Sequence, residues 1–150
     1  MIEVKFKKLN ENAIVPSKTY DEDFCYDCVA TSCEEVAPNV YKYGIGLAFE
    51  IEHSPKEWKR DTRFALDFRA RSSVWKTGMV LSNCVGTIDD LYRGEVSAVF
   101  YHVMPNMPKY EVGDKIVQCH VMCTDRLEFI EVEELTKTKR GANGYGSTGK

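Results

Sequence analysis

The chain has 150 residues, of which 43% are hydrophobic and 29% are charged, a composition typical of one soluble globular domain with its own core. Its formal net charge of −3 argues against sequence-independent binding to duplex nucleic acid, which requires a basic surface. No apolar run approaches the length of a membrane span, and the first ten residues alternate instead of forming a signal-peptide core. We therefore expect a cytoplasmic protein, in the host cytoplasm if the chain is viral, that binds neither nucleic acid nor membrane.

Apolar and polar residues alternate with a period of two along much of the chain. Successive side chains of a strand point to opposite faces, so this pattern predicts short, half-buried β-strands. Turn residues separate the runs, and only 54–60 and 72–78 offer a short turn of helix. The sequence therefore predicts an all-β sandwich or barrel. The clearest runs are 2–6, 47–51, 64–68, 96–100 and 117–121.

The six cysteines permit two interpretations. Without a secretory signal, free thiols in a reducing compartment are expected. Alternatively, Cys25 and Cys28 together with Cys119 and Cys123 supply four thiolates, which suit a tetrahedral zinc site. The second pair lies in a strand-like run with a loose spacing, which favours buried free thiols.

The C-terminal stretch "RGANGYGSTGK" begins at Arg140 and contains the phosphate-loop pattern G-x-x-x-x-G-K. A phosphate loop also needs a following Ser or Thr and a helix, and this context is lacking here. Two interpretations remain, a disordered polar tail and a mobile arm that closes over an anionic ligand. Segment 137–150 contains four basic residues and no acidic one, which favours the arm.

Three short stretches carry candidate functional side chains. "GTIDDLYRGE" (86–95) packs acids, a tyrosine and an arginine into a predicted hairpin, either as a solvated turn or as a carboxylate aimed at a ligand. Arg71, Ser72 and Ser73 suit a phosphate, or equally a plain helix cap. Asp27 stands in an otherwise apolar stretch, which is costly unless it is paired or functional.

The order of these stretches resembles the five motifs of the homotrimeric dUTPase family. The motifs are "YDCVA" (26–30), "ARSS" (70–73), "GTIDDLYRGE" (86–95), "GDKIVQ" (113–118) and "RGANGYGSTG" (140–149). The third and fifth are specific, whereas the other three would mean little alone. The resemblance covers residues 24–149, nearly the whole chain.

The resemblance implies a jelly-roll-like β-barrel or sandwich (the β-clip of dUTPases) that forms a homotrimer with shared active sites. It implies that residues 1–136 form the β domain and that 137–150 form a flexible Gly-rich arm, which closes over the active site. The implied reaction is hydrolysis of dUTP to dUMP and pyrophosphate with Mg²⁺.

The resemblance also implies a role for each matching residue. Asp89 activates the attacking water, and Asp27 holds Mg²⁺ through a water molecule. Residues implied to contact uracil or deoxyribose are Asn83, Gly86, Tyr92, Ser97 and Tyr145. Residues implied to contact the phosphates are Arg71, Ser72, Ser73, Gln118, Arg140, Ser147 and Thr148.

The chain departs from the family pattern at three positions. Cys25 replaces a glycine before the Tyr-Asp pair, Ala70 replaces a proline, and Tyr145 stands where phenylalanine is usual. Segment 52–62 has no assigned role. Alternative functions are a dCTP deaminase-like nucleotide enzyme, whose reactive glutamate "TIDDLY" lacks, and a non-catalytic nucleotide-sensing or partner-binding trimer. A generic β-sandwich binding module would leave the five ordered motifs to coincidence.

Overall fold

The computed structural model describes residues 2–52 and 62–144. Within these ranges the chain forms ten β-strands and one short 3₁₀ helix, and no α-helix occurs there. The prediction of an all-β fold is confirmed. No helix in this part of the chain is long and apolar enough to span a membrane.

The strands and the helix follow each other in a simple order. They are β1 (Glu3–Lys8), β2 (Tyr26–Val29), β3 (Ser32–Ala37), β4 (Val40–Gly44), β5 (Leu47–Glu52), β6 (Arg63–Ala70), the 3₁₀ helix (Ser72–Lys76), β7 (Met79–Leu81), β8 (Gly86–Asp89), β9 (Ser97–His102) and β10 (Lys115–Thr124). The five alternating runs of the sequence correspond to β1, β5, β6, β9 and β10. The helical turn predicted at 72–78 is present, and the one at 54–60 lies outside the described residues.

The strands form two four-stranded antiparallel sheets and one two-stranded sheet. The first sheet has the order β2-β10-β6-β8, the second has the order β3-β4-β9-β7, and β1 pairs with β5. Several neighbouring strands lie far apart in sequence, as in the long connections of a jelly roll. The jelly-roll-like sandwich is therefore the observed architecture.

The two large sheets enclose one hydrophobic core. Leu66, Phe68 and Val117 contribute from the first sheet, and Tyr43 and Phe100 contribute from the second. Tyr43, Phe100 and Val117 are completely inaccessible to solvent. Burial of side chains of this size stabilises the fold by about 1.5–3 kcal/mol each, so the sandwich is a firm support for the loops at its edges.

The outer face of the first sheet is less exposed than alternation alone predicts. Asp67 and His120, which face each other across β6 and β10, are only 5% and 9% exposed. The Thr87 hydroxyl donates to Asp67 Oδ1 at 2.9 Å, and the ring of Phe24 lies 5.0 Å from that of His120. The buried Asp67 carboxylate is thus hydrogen-bonded to Thr87, and Arg69 Nη2 lies 3.8 Å from its Oδ2.

The predicted hairpin is confirmed in its flanking strands, because β7 and β9 pair antiparallel in the second sheet, but the residues between them include β8 and are not a simple turn. In the described residues β8 pairs with β6 in the first sheet, whereas β9 pairs with β4 and β7 in the second. The connecting segment, which we call the 86–97 loop, therefore crosses from one sheet to the other. A tight turn lies at its centre, where Tyr92 N donates to Asp89 O at 3.0 Å.

Candidate active site

Asp27, Arg71 and Lys115 form a charged cluster at one end of the first sheet. Arg71 Nε donates to Asp27 Oδ1 at 2.7 Å, and Arg71 Nη2 donates to Asp27 Oδ2 at 3.3 Å. Lys115 Nζ donates to Asp27 Oδ2 at 3.0 Å. The bidentate guanidinium contact is the geometry in which arginine binds carboxylates and phosphates most strongly. The expectation that Asp27 would be costly unless paired or functional is met by this pairing.

The cluster holds Asp27 in its charged form. The side chain of Asp27 is 15% exposed, and burial by itself raises the pKa of its carboxyl. Hydrogen bonds from Arg71 and Lys115, together with their charges, outweigh burial and lower the pKa below its ordinary value. The cluster carries two cations against one carboxylate, so it retains a positive charge that suits an anionic ligand.

Three other residues predicted to contact the phosphates, Ser72, Ser73 and Gln118, lie beside this cluster. Gln118 faces Asp27 directly across β2 and β10, and its Nε2 donates to Ala70 O at 3.3 Å. Ser73 Oγ accepts a hydrogen bond from Arg71 Nη1 at 3.4 Å. Ser72 is exposed at the start of the 3₁₀ helix, whose N-terminal capping position makes no side-chain hydrogen bond. The strand pairing thus brings together residues that are far apart in sequence.

The 86–97 loop presents Asp89 and Tyr92 to solvent. Asp89 is exposed at the end of β8, and Tyr92 is 47% exposed. The Tyr92 hydroxyl donates to Glu95 O at 3.1 Å, so the ring folds back across Gly94. A Cβ on Gly94 would lie 2.4 Å from the Tyr92 hydroxyl oxygen, which explains why glycine is needed there. The ring is therefore held at its hydroxyl end and remains about half exposed.

Glu95 fastens the loop to the sandwich. Its Oε1 accepts the backbone N–H of Gly46 at 2.9 Å, and a Cβ on Gly44 would lie 2.4 Å from the same oxygen. Backbone bonds from Val96 N to Leu47 O and from Ile45 N to Val96 O complete the attachment. The base of the loop is thereby held against the segment between β4 and β5.

Asn83 and Gly86 meet at the other end of the loop. Gly86 is buried, and a Cβ there would lie 3.1 Å from Asn83 Nδ2. Ser97 is half-buried and faces Gly44 across β9 and β4. The structure thus groups Asn83 with Gly86, and it groups Tyr92 with Gly94 and Glu95.

The C-terminal residues are only partly described. Arg140 lies in an exposed turn, where its Nε donates to Asn143 O at 3.1 Å, and it is not part of the Asp27 cluster. Tyr145, Ser147 and Thr148 lie outside the described residues. The roles predicted for these four residues remain predictions.

Asp27 and Asp89 are far apart within one chain. Both belong to the first sheet, at opposite edges. Asp27 pairs with Gln118, which pairs with Arg69 on β6, whereas Asp89 pairs with Ala65 on the same strand. The two aspartates are therefore three strand spacings apart across the sheet and, from Arg69 to Ala65, four residues apart along it. With about 4.8 Å between strands and about 3.4 Å per residue, their Cα atoms are roughly 20 Å apart.

Two residues of the site have no role predicted by the sequence. Lys115, within "GDKIVQ", contacts Asp27. Glu95, at the end of "GTIDDLYRGE", fastens the loop. A lysine beside a strand start gives no local signal of a distant carboxylate. The position of Glu95 after the Tyr-Arg-Gly turn does not predict its role, because that role depends on Gly44 and Gly46, which lie elsewhere in the chain.

The described residues contain no group of three or more His, Cys, Asp or Glu side chains arranged to hold a metal ion. All six cysteines are free, and the proposed zinc ligand Cys123 is exposed. Magnesium commonly keeps several waters and binds through one or two carboxylates together with substrate phosphates. Asp27, a charged carboxylate, fits this water-mediated mode and does not form a complete protein cage.

The comparisons with known proteins agree with this architecture. A model of the dUTPase family matches residues 68–149. The deoxyuridine 5'-triphosphate nucleotidohydrolase of Nautilia profundicola is 34% identical over 99% of this chain and 100% of its own length. The enzyme of the same name from Helicobacter pylori (strain ATCC 700392 / 26695) is 32% identical over 99% of this chain and 97% of its own length. The chain belongs to the dUTPase family.

Solved structures support the fold. A Staphylococcus bacteriophage 80alpha dUTPase mutant with dUpNHpp superposes with a TM-score of 0.77 at 20% identity, covering 98% of both chains. A mutant dUTPase from phage phi11 of S. aureus, described with a structural Mg(II) ion, has a TM-score of 0.69 at 19% identity. That comparison covers 90% of this chain and 99% of the phage chain.

Proposed function

We propose that the chain hydrolyses dUTP to dUMP and pyrophosphate with Mg²⁺. The observation that carries this proposal is the match, over nearly the full length of both chains, to relatives named deoxyuridine 5'-triphosphate nucleotidohydrolase. The site agrees with such a reaction, because it combines an exposed carboxylate on the 86–97 loop with a basic cluster suited to phosphates.

Asp89 is the base in this proposal. Its carboxylate takes a proton from a water molecule, and the water oxygen bonds to the α-phosphorus. The bond between that phosphorus and the oxygen bridging to the β-phosphorus breaks, and pyrophosphate leaves. A positioned general base contributes about 10²–10⁴ to the rate of such a step.

The Asp27 cluster is the phosphate and metal side of the site. Asp27 would hold Mg²⁺ through a water molecule, and the bound ion supplies charge neutralisation of the triphosphate. Arg71, Ser72, Ser73 and Gln118 are the polar groups that orient the phosphate oxygens. The fork of Arg71 matches a phosphate as well as it matches the Asp27 carboxylate, so it can serve both.

The 86–97 loop is the nucleoside side. Tyr92 is held through its hydroxyl on Glu95 O and has a half-exposed ring. In this proposal the ring packs against the deoxyribose, where it would leave no room for a 2′-hydroxyl. Asn83, Gly86 and Ser97 lie at the rim of the loop, where side-chain and backbone groups read the edge of uracil. Tyr145 stacks on the base from the C-terminal arm.

The distance between the two halves supports the proposed site shared between copies of a homotrimer. The Cα atoms of Asp27 and Asp89 are roughly 20 Å apart, too far for both carboxylates of one chain to act on the same triphosphate. In a site formed between two copies, one copy contributes Asp27 and the other contributes Asp89. An exposed apolar segment after β10 supports an assembly, because large apolar surfaces normally mark an interface. Its exposed residues include Leu127 at 70%, Phe129 at 93% and Leu135 at 85%.

The arm hypothesis divides the chain into a β domain, 1–136, and an arm, 137–150. The arm brings Arg140, Ser147 and Thr148 to the γ-phosphate and closes the site of another copy. The free thiols suit a reducing compartment, and the cytoplasm is therefore the proposed location.

The deciding experiment incubates the full chain with each deoxynucleoside triphosphate and UTP in the presence of Mg²⁺. We expect pyrophosphate and dUMP from dUTP, and far less product from the other nucleotides. Release of ammonia from dCTP would establish the deaminase alternative instead. Tight dUTP binding without any product would establish the non-catalytic sensor. Chelation of Mg²⁺ with EDTA is the matched control and is expected to abolish turnover.

A further inference from the structure

Two buried thiols meet beside the candidate phosphate site. Cys28 on β2 and Cys119 on β10 are 1% and 5% exposed, and Cys28 Sγ donates to Cys119 Sγ at 3.6 Å. They come from positions 91 residues apart in the chain, so the contact exists only because β2 and β10 pair. Both are free cysteines.

Each thiol directly follows a residue of the candidate site. Cys28 follows Asp27, and Cys119 follows Gln118, which faces Asp27 across the two strands. A movement of either sulfur is therefore transmitted through one peptide unit to a site residue. The four residues lie on one strand pair, with the thiols on its core side and the polar residues on its outer side.

The strand pair is able to shift. β2 has four residues and lies at an edge of its sheet, where its outer side makes only an isolated bridge between Asp27 and Ser17. Its register with β10 is irregular between Lys115 and Val117. A short edge strand with an irregular register has few backbone bonds to lose, which makes it easier to displace than the central strands β6 and β10.

Small reagents can reach the pair through a cavity. A cavity of about 680 Å³, open to solvent, lies between β1, β10 and the loop before β2. Cys119 lines it, together with Phe24, Tyr26 and His120. The sulfur of Cys119 is thus nearly covered but borders a space large enough for a peroxide molecule.

We infer that Cys28 and Cys119 form an oxidant-sensitive dithiol that disables the neighbouring phosphate site when it closes to a disulfide. The effect on turnover rests on the proposed dUTP hydrolysis, whereas formation of the bond does not. The reagent is a peroxide, and hydrogen peroxide is the probe.

The reaction proceeds in two balanced steps. The Cys119 sulfur attacks one peroxide oxygen, the O–O bond breaks, and the leaving hydroxide takes the thiol proton to become water. The Cys28 sulfur then attacks the sulfenic Cys119 sulfur, the S–S bond forms, and the S–O bond breaks. The departing hydroxide takes the Cys28 proton, so one peroxide yields two waters while two thiols are oxidised.

Closure must move the strands. A disulfide brings the two sulfurs to about 2.05 Å, so the present separation shrinks by about 1.5 Å. Cys28 and Cys119 occupy diagonal positions across the pair, where Cα atoms are about 7–8 Å apart, beyond the usual span of a disulfide. The backbone at Asp27 and Gln118 therefore shifts. A misplacement of about 1 Å is enough to cost about 10² in rate.

The test treats the reduced full chain with hydrogen peroxide and follows three readouts. Peptide mapping is expected to find Cys28 linked to Cys119, with the loss of two hydrogen atoms. Turnover of dUTP is expected to fall about 10²-fold in proportion to the linked fraction and to return with dithiothreitol. Amide hydrogen exchange of residues 26–29 is expected to accelerate. The matched background carries Cys33→Ser, Cys84→Ser and Cys123→Ser, which removes the exposed thiols.

Three outcomes overturn the inference. They are the absence of a 28–119 link, a link that leaves turnover and exchange unchanged, and equal inactivation of Cys28→Ser in the same background. If Cys28→Ser does not fold, the correlation between linked fraction and turnover in the folded background decides the matter. If the reduced chain has no dUTP turnover, the proposed function fails, while the link and the exchange rates still test the dithiol.

Discussion

Arg71 Nε lies 2.7 Å from Asp27 Oδ1, and this contact joins two parts of the chain that are 44 residues apart. The arginine leads into the 3₁₀ helix, and the aspartate sits on the edge strand β2. Lys115 adds a second cation to the same carboxylate. A phosphate ligand would find a positive cluster already assembled, so little reorganisation is needed when it binds.

The charge of Asp27 makes stability depend on pH. The pKa of its carboxyl is lower in the folded chain than its ordinary value of 3.8. Its contribution to the free energy of unfolding is therefore complete above about pH 3.8 and is lost as pH falls through the folded-state pKa. Asp27→Asn is expected to destabilise the protein by about 1–3 kcal/mol at pH 7, because it leaves two cations without their carboxylate. Urea unfolding should show that the difference in free energy of unfolding between the parent and Asp27→Asn shrinks from about pH 7 to about pH 2.5. The control is Asp21→Asn, which changes an exposed aspartate.

Asp89→Asn is expected to slow dUTP hydrolysis by about 10²–10⁴ while nucleotide affinity stays nearly constant. The amide keeps the size and polarity of the carboxylate but cannot accept a proton from water. Steady-state kinetics and binding to a non-hydrolysable dUTP analogue separate the two effects. Asp90→Asn changes the neighbouring acid in the same turn and should leave the rate near that of the parent. Equal rates for Asp89→Asn and the parent would assign the base elsewhere.

Tyr92→Ala is expected to raise the hydrolysis of UTP relative to dUTP, because removal of the ring opens space for a 2′-hydroxyl. Tyr92→Phe keeps the ring but loses its hydrogen bond to Glu95 O, so it should retain most of the discrimination. The ratio of kcat/KM for the two nucleotides is the measurement. An unchanged ratio in the alanine variant would move sugar selection to another residue.

Glu95→Ala is expected to lower kcat/KM for dUTP about tenfold by loosening the base of the 86–97 loop. The variant leaves the Gly46 N–H without its acceptor and opens a space beside Gly44. Glu95→Gln retains an oxygen acceptor and should recover most of the activity. If both variants behave alike, the carboxylate acts through its charge and not through this hydrogen bond.

Deletion of residues 140–150 is expected to remove most of the catalytic rate and to leave the proposed trimer and its melting temperature nearly unchanged. Closing a glycine-rich arm costs roughly 1–2 kcal/mol of backbone entropy per residue fixed, and the contacts to a triphosphate offset that cost. Light scattering, thermal unfolding and turnover are measured together. An uncharged Gly/Ser tail of equal length should be equally inactive. Normal turnover of either variant, or loss of the trimer, would contradict the arm hypothesis.

Part of this protein could be predicted from its sequence because the relevant signals are local. Alternation of side chains gave five of the ten strands, since the pleat itself has a period of two. The Arg-Ser-Ser stretch indicated a helical turn, which the structure contains at Ser72–Lys76. The sequence also predicts that Asp27 needs a partner, because an isolated carboxylate among apolar residues is costly.

The tertiary structure decided which residues meet. Lys115 reaches Asp27 because β10 lies beside β2, and Glu95 reaches Gly46 because β9 pairs with β4. The connection between the paired strands β7 and β9 is not a simple turn, since it contains β8, which joins the other sheet. Cys28 touches Cys119 only through strand pairing. Residue spacing along the chain does not encode these contacts, because strand order and register are set by how two sheets bury their apolar faces together.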